Sequence, residues 1–165
     1  MDLNIKNNSQ FKQGYLYAVR LLTASKKSEK ELAKRLSEKG YQPEVVAQVA
    51  EELKKQGILS DEKLIRETVQ WASEAKRYGR KRIFLELKKR GLASNEIERA
   101  LHDYPKAVER DSARALAEAR WERLKKVELQ KRKMRLYQFL LNRGFDFELS
   151  REIVSQLSQN SNEIN

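Results

Sequence analysis

KELAKRLSEKGY (Lys30 to Tyr41) returns twice along the chain in altered form, as RIFLELKKRGL (Arg82 to Leu92) and RLYQFLLNRGF (Arg135 to Phe145). Each copy carries two apolar residues four apart, Leu32/Leu36, Ile83/Leu87 and Leu136/Leu140, and then a basic residue and a glycine. Spacing i, i+4 places the apolar pair on one helix face. Gly40, Gly91 and Gly144 supply the left-handed residue that ends such a helix, and Tyr41, Leu92 or Phe145 folds back onto its last turn. The glycines are 51 residues apart from 40 to 91 and 53 apart from 91 to 144, a period that marks an array of helical modules.

The flanks complete the module. A helix follows each copy, with apolar positions Val46/Val49/Leu53, Ile97/Ala100/Leu101 and Leu149/Ile153/Leu157. A longer helix precedes each copy, striped by Phe11, Tyr15, Ala18 and Leu22, by Ile65, Val69 and Ala72, and by Ala113, Ala117 and Trp121. Start signals agree. Ser28 with Glu31 forms a capping box, Pro43 and Pro105 suit the first helical position, and Ser60 or Asp61, Ser94 and Asp146 can cap. The reading is all-α with no β-sheet: nine helices in three tandem three-helix repeats, residues 11–56, 59–103 and 105–158, forming an elongated, curved body. The polar ends, residues 1–10 and 159–165, are expected to be disordered.

Composition narrows the function. The 165 residues include 35 Lys+Arg against 24 Asp+Glu, a formal net charge of +11. Such a balance favours acidic partners, nucleic acid or nucleoprotein first among them. There is no Cys, so disulfides, thiolate catalysis and Cys-based zinc sites are excluded. No run of about 18 apolar residues exists to span a membrane, and residues 1–10 lack the apolar stretch of a signal peptide. His102 is the only His and cannot by itself make an ordinary metal site or a triad. Neither a phosphate loop of the form G-x-x-x-x-G-K-[ST] nor H-E-x-x-H occurs. A non-enzymatic, cytoplasmic monomer with no cofactor or metal is expected.

Two basic clusters are the candidate binding surface. The first holds Lys76, Arg77, Arg80, Lys81, Arg82, Lys88, Lys89 and Arg90 with Glu86 alone among them. The second lies between Arg120 and Arg135, and its candidate contacts are Arg120, Arg123, Lys126, Arg132 and Arg135. Lys and Arg gathered this way can neutralise phosphates or carboxylates. A merely solvated surface would show no bias along the chain, yet the first module mixes signs, with Glu29, Glu31, Glu38, Glu44, Glu51 and Glu52 among its lysines.

Taken together, these residues resemble the RecX family. The first module is similar to its opening, through Ala18, Leu21-Leu22, Ser28, Glu31-Leu32, Leu36 and Lys39-Gly40. The stretch Leu53 to Asp61 is similar to the family's L-x-x-x-G-h-h-x-D junction, where h is apolar, and Gly79 to Leu92 resembles its most distinctive segment, a basic helix opened by Gly. Arg80 stands where the family often has Pro or a small residue. The resemblance spans residues 15–157. It implies tandem three-helix repeats lodged in the groove of the RecA–DNA filament, inhibition of recombinase activity in DNA repair and the SOS response, and no cofactor or catalytic residue. Contact with single- or double-stranded DNA is a further implied partnership. The alternative is a helical protein acting directly on DNA, in the manner of a helix-turn-helix regulator. Asn95, Glu96, Glu98 and Arg99 on the helix after Ser94 make a poor base-reading set for it. A structural adaptor that binds an acidic protein without DNA is a third class.

Overall fold

The computed structural model describes the backbone of residues 2–160 and the side chains of residues 9–159. Among the described residues there are nine helices and no strand. They form three successive triplets: α1 (Asp2–Ala24), α2 (Glu29–Glu38) and α3 (Pro43–Lys55); α4 (Asp61–Glu74), α5 (Arg80–Lys89) and α6 (Ser94–His102); α7 (Lys106–Arg123), α8 (Leu129–Asn142) and α9 (Phe147–Asn160). The sequence repeat is therefore the structural repeat, and α2, α5 and α8 are its three copies.

Two ends differ from expectation. Helix α1 starts at Asp2, where disorder to residue 10 was expected. Residues 2–10 contain no Gly or Pro, and lengthening a formed helix costs far less than nucleating one. Helix α9 runs to Asn160, past the expected end at 158. Residue 1 and residues 161–165 of the ends expected to be disordered lie outside the described residues.

Local chemistry sets the helix boundaries. Ser28 and Glu31 form the reciprocal capping box: the Glu31 N–H donates to Ser28 Oγ at 3.1 Å and the Ser28 N–H to Glu31 Oε2 at 2.8 Å. Pro43 occupies the first turn of α3, but Pro105 is the N-cap residue of α7 and Lys106 the first helical one. Asp146 Oδ1 accepts from the Leu149 N–H at 2.8 Å and caps α9. Gly40, Gly91 and Gly144 have φ of 97°, 83° and 91°, which lets the N–H of Tyr41 reach Leu36 O and that of Phe145 reach Leu140 O, both at 3.2 Å.

The contacts gather the chain into two compact units, with the middle triplet shared out between them. Unit 1 comprises Met1–Arg66 and Leu87–Glu96; unit 2 comprises Glu67–Glu86 and Ile97–Asn165. In unit 1, α1 and α2 pack on α3 around the buried Ala18, Leu32, Leu36, Val49 and Leu53. In unit 2, α7, α8 and α9 pack pairwise around Ala113, Ala117, Trp121, Leu136, Leu140 and Phe145. The i, i+4 pairs of all three copies are fully buried, as their spacing requires. Emptying one such position, Leu36→Ala for instance, removes about 2–5 kcal/mol by the usual cost of a core cavity.

Helix α8 departs from the pattern. In the register of the repeat, the first residues of α2 and α5 (Glu29 and Arg80) correspond to Lys133, yet α8 begins a turn earlier at Leu129. Glu128 caps it from within its own chain segment, accepting from the N–H groups of Gln130 at 2.8 Å and Lys131 at 3.2 Å.

Candidate functional site

The first basic cluster is divided between two junctions where a helix start meets a helix end, one in each unit, whereas the second cluster lies where α7 gives way to α8. In unit 1 the Ser28 hydroxyl at the head of α2 donates to the Arg90 carbonyl at 2.6 Å. Arg90 returns the contact, with Nη2 donating to Glu31 Oε2 at 2.9 Å and to the Lys26 carbonyl at 2.8 Å. The Glu29 N–H donates to Asp61 Oδ1 at 2.8 Å. In unit 2 the same register recurs with different chemistry. The Gly79 N–H donates to the Arg143 carbonyl at 2.9 Å, and the Arg80 N–H donates to Glu109 Oε1 at 2.9 Å. Gly79 is buried, and a Cβ there would run into the Gly144 carbonyl, which explains why Gly opens this basic helix.

These junctions divide the predicted site residues into two groups. Arg80, Arg82, Arg90 and Arg132 have internal partners, contrary to a purely partner-facing role. Arg80 Nε donates to Glu109 Oε2 at 2.7 Å, and its two Nη groups donate to the carbonyls of Leu101 and Tyr104. That fork ties the start of α5 to the start of α7 in a way Lys could not. Arg82 pairs with Glu86 at 3.1 Å and lies 3.9 Å from the centroid of Tyr78. Arg132 donates through Nη2 to the Trp121 carbonyl at 2.8 Å and lies 3.7 Å from that ring centroid, and burial lowers its pKa. Arg120 is half-buried, 5.4 Å from the Phe139 ring centroid. The physical reason is the versatility of the group: a guanidinium can satisfy buried carbonyls, pair with a carboxylate or stack on an aromatic ring, so it serves as a fastener as readily as a ligand.

Lys76, Arg77, Lys81, Lys88, Lys89, Arg123, Lys126 and Arg135 are exposed. Lys76 lies 5.1 Å from the Trp71 ring centroid, and Lys81 lies 4.4 Å from that of Phe147; both rings are themselves exposed. Arg77, three residues past the end of α4, has φ of 50°, a left-handed conformation that Gly adopts freely and Arg does not. Lys81, Leu85 and Lys88 follow one another along an exposed face of α5.

Sequence reasoning missed the residues that complete the junctions. Glu109 is a buried carboxylate far from its partner in sequence. Arg143 occupies the same place in its copy as Arg90, donates to the Lys76 carbonyl and stacks 4.9 Å from Tyr78. Its position before Gly144 was the available signal. In unit 1, burial works against the Glu31 carboxylate, but the hydrogen bonds from Arg90 and the Ser28 N–H prevail and lower its pKa. Asp61, desolvated beside Glu29 and Glu31, is raised. Among the described residues no helix is long and apolar enough to cross a membrane.

Comparison with known proteins matches this architecture. The family profile "RecX, first three-helix domain" matches residues 15–53, and "RecX, third three-helix domain" matches residues 108–154. The chain is 32% identical over 145 residues to regulatory protein RecX of Clostridium perfringens strain 13, covering 87% of this chain and 68% of that protein. It is 33% identical over 132 residues to regulatory protein RecX of Pelodictyon phaeoclathratiforme, covering 80% of this chain and 81% of that one. The crystal structure of RecX from Lactobacillus salivarius superposes with a TM-score of 0.84 at 22% identity, over 92% of this chain and 99% of the other. Repeat, junctions and relatives agree, and the chain belongs to the RecX family of regulatory proteins.

Proposed function

We propose that this protein is a non-enzymatic regulator that binds the RecA–DNA filament through its exposed basic residues and restrains recombinase activity. The observation that carries the reading, beyond family membership, is the junction before α5. There an exposed Arg77 is held at φ of 50°, beside an exposed Lys76 and one turn before Lys81. A non-Gly residue in that conformation costs about 1–2 kcal/mol, a cost that folding alone gives no reason to keep. Lys81 and Lys88 extend the surface along α5, and Arg123, Lys126 and Arg135 form a second anchor. Arg80, Arg82, Arg90 and Arg132 hold these residues in place rather than reach the partner.

Several weak contacts made together by one chain reinforce each other through effective concentration. Such a ligand shifts a filament between states only by binding one of them more tightly. Inhibition therefore follows from preference for a filament form that cannot exchange strands or extend. The direct DNA-binding alternative predicts equal affinity for naked and recombinase-coated strands.

The test is charge reversal of Arg77, Lys81 and Lys88 together. The triple variant should melt like the parent and lose inhibition of RecA-driven ATP hydrolysis and strand exchange. Undiminished inhibition at physiological salt by a normally folded triple variant would show that another face carries the binding.

A further inference from the structure

The junction of unit 1 contains a cleft of about 460 Å³. One wall is α2, which contributes Lys30, Lys34 and Arg35; the other is the end of α5, which contributes Lys88, Lys89 and Arg90. Two carboxylates also line it. Glu31 is engaged by Arg90 at 2.9 Å, and Glu38 is shared by Lys34 at 3.8 Å and Arg35 at 3.4 Å. Six cations against two carboxylates leave the cleft strongly positive. It is also preformed. The Ser28 hydroxyl and the Glu31–Arg90 pair lock its walls, and the stem of Lys30 lies against Gly91, close enough to leave no room for a Cβ there.

The corresponding junction of unit 2 shows that this lining is not a requirement of the fold. In the register of the repeat, Lys34 and Arg35 correspond to Leu85 and Glu86, and Lys88 and Lys89 to Leu141 and Asn142. The same helix-start-to-helix-end geometry is thus built with two leucines, an asparagine and a glutamate at the four positions where unit 1 has cations. A surface that needed only solubility would not distinguish the two junctions this way, since Leu85 stands 58% exposed.

We propose that the unit 1 cleft is a phosphodiester site that seats the backbone of a nucleic-acid strand, with Lys30, Lys34, Lys88 and Lys89 as its phosphate ligands. Lysine ammonium groups converging from two walls suit a flexible, repeating anion, which they meet as point charges. The site shares Lys88 with the proposed filament surface but is tested apart from it, because its test requires only nucleic acid and leaves Lys88 in place, and it adds Lys30 and Lys34 from a module whose overall charge is mixed.

The experiment measures binding of a fluorescein-labelled 20-nucleotide oligothymidylate to the full chain over a salt series. The parent is compared with Lys34→Glu/Lys89→Glu and with Lys12→Glu/Lys63→Glu, a pair of exposed lysines outside the cleft carrying the same change in net charge. The cleft variant should bind about tenfold more weakly at low salt. Its log K against log salt slope should be shallower by about 1.4, the counterion release of two phosphates on a single strand. The control pair should keep the parental slope. Melting by circular dichroism should be parental for both. Inorganic phosphate should compete only at millimolar concentrations, and polyglutamate of equal charge should compete less well than unlabelled oligothymidylate. No binding by the parent, equal weakening of both variants, or better competition by polyglutamate would overturn the assignment.

Discussion

Gly79 and Gly144 meet backbone to backbone: the Gly79 N–H donates to the carbonyl preceding Gly144 at 2.9 Å, and the Lys81 N–H donates to the Gly144 carbonyl at 3.2 Å. Neither position has room for a Cβ. Gly40, at the same place in the first copy, has a φ of 97° and no atom within 4 Å of where a Cβ would stand. Gly79→Ala should therefore cost about 3 kcal/mol or more, since backbone must move to admit it. Gly40→Ala should cost only the left-handed strain of about 1–2 kcal/mol. Urea unfolding of the two variants separates crowding from conformation, and equal losses would contradict the close approach.

Arg77 lets stability and binding be pulled apart. Arg77→Gly removes the left-handed strain and should raise stability by up to about 1 kcal/mol, less whatever the unfolded chain gains in freedom. It also deletes an exposed cation of the proposed filament surface, so inhibition should weaken. A variant that is more stable and less inhibitory is the expected pairing, read by thermal melting and by RecA-driven ATP hydrolysis. A loss of stability would mean that the Arg77 side chain makes a folding contribution its exposure does not suggest.

Two carboxylates of unit 1 should titrate with opposite effects on stability. The pKa of Glu31 is lowered in the fold, so its contribution is present above the ordinary carboxylate value of 4.5 and is lost as pH falls through the folded value. Asp61 is raised, so its effect is most favourable below its ordinary value of 3.8 and declines as pH rises through the folded value. Glu31→Gln should be destabilising near neutral pH, with the difference from the parent shrinking on acidification. Asp61→Asn should show its relative advantage only at higher pH. Melting temperatures of the two variants from pH 3 to 7 check the signs.

Arg132 and Arg135 test whether guanidiniums three residues apart do different work. Arg132 donates to the Trp121 carbonyl and covers its ring, whereas Arg135 is exposed. Arg132→Ala should cost about 1.5–3 kcal/mol, the range for hydrogen bonds from charged groups. Arg135→Ala should stay within about 0.5 kcal/mol. With Trp71 exposed and Trp121 buried, tryptophan emission in a Trp71→Phe background reports the Trp121 environment directly. A red shift is expected for Arg132→Ala and none for Arg135→Ala.

The helices were legible because their signals are local. Ser28 and Glu31 are three residues apart, Leu32 and Leu36 four, and Gly40 four further on, so thirteen consecutive residues contain the whole argument. The roles of the arginines were not legible in this way. Glu31 and Arg90 pair across 59 residues, Arg80 and Glu109 across 29. A run of basic residues gives a net charge without saying which members are consumed at a junction. The repeat held a further clue: Arg90 and Arg143 align, and the arginine before the glycine belongs to the scaffold in both copies. Module counting was legible as a periodicity, but the sharing of the middle triplet between two compact units was not, because it depends on contacts between residues remote in sequence.

The early start of α8 gives the array a direction of growth. The heads of α2 and α5 each engage a helix end belonging to the next triplet, whereas the head of α8 carries an extra turn ahead of the register they share. A duplicated middle triplet inserted inside the chain would meet a matching seam on either side. A copy appended after α9 would instead face a helix head of different register at α8. Engineered variants with more triplets should therefore be built by internal insertion.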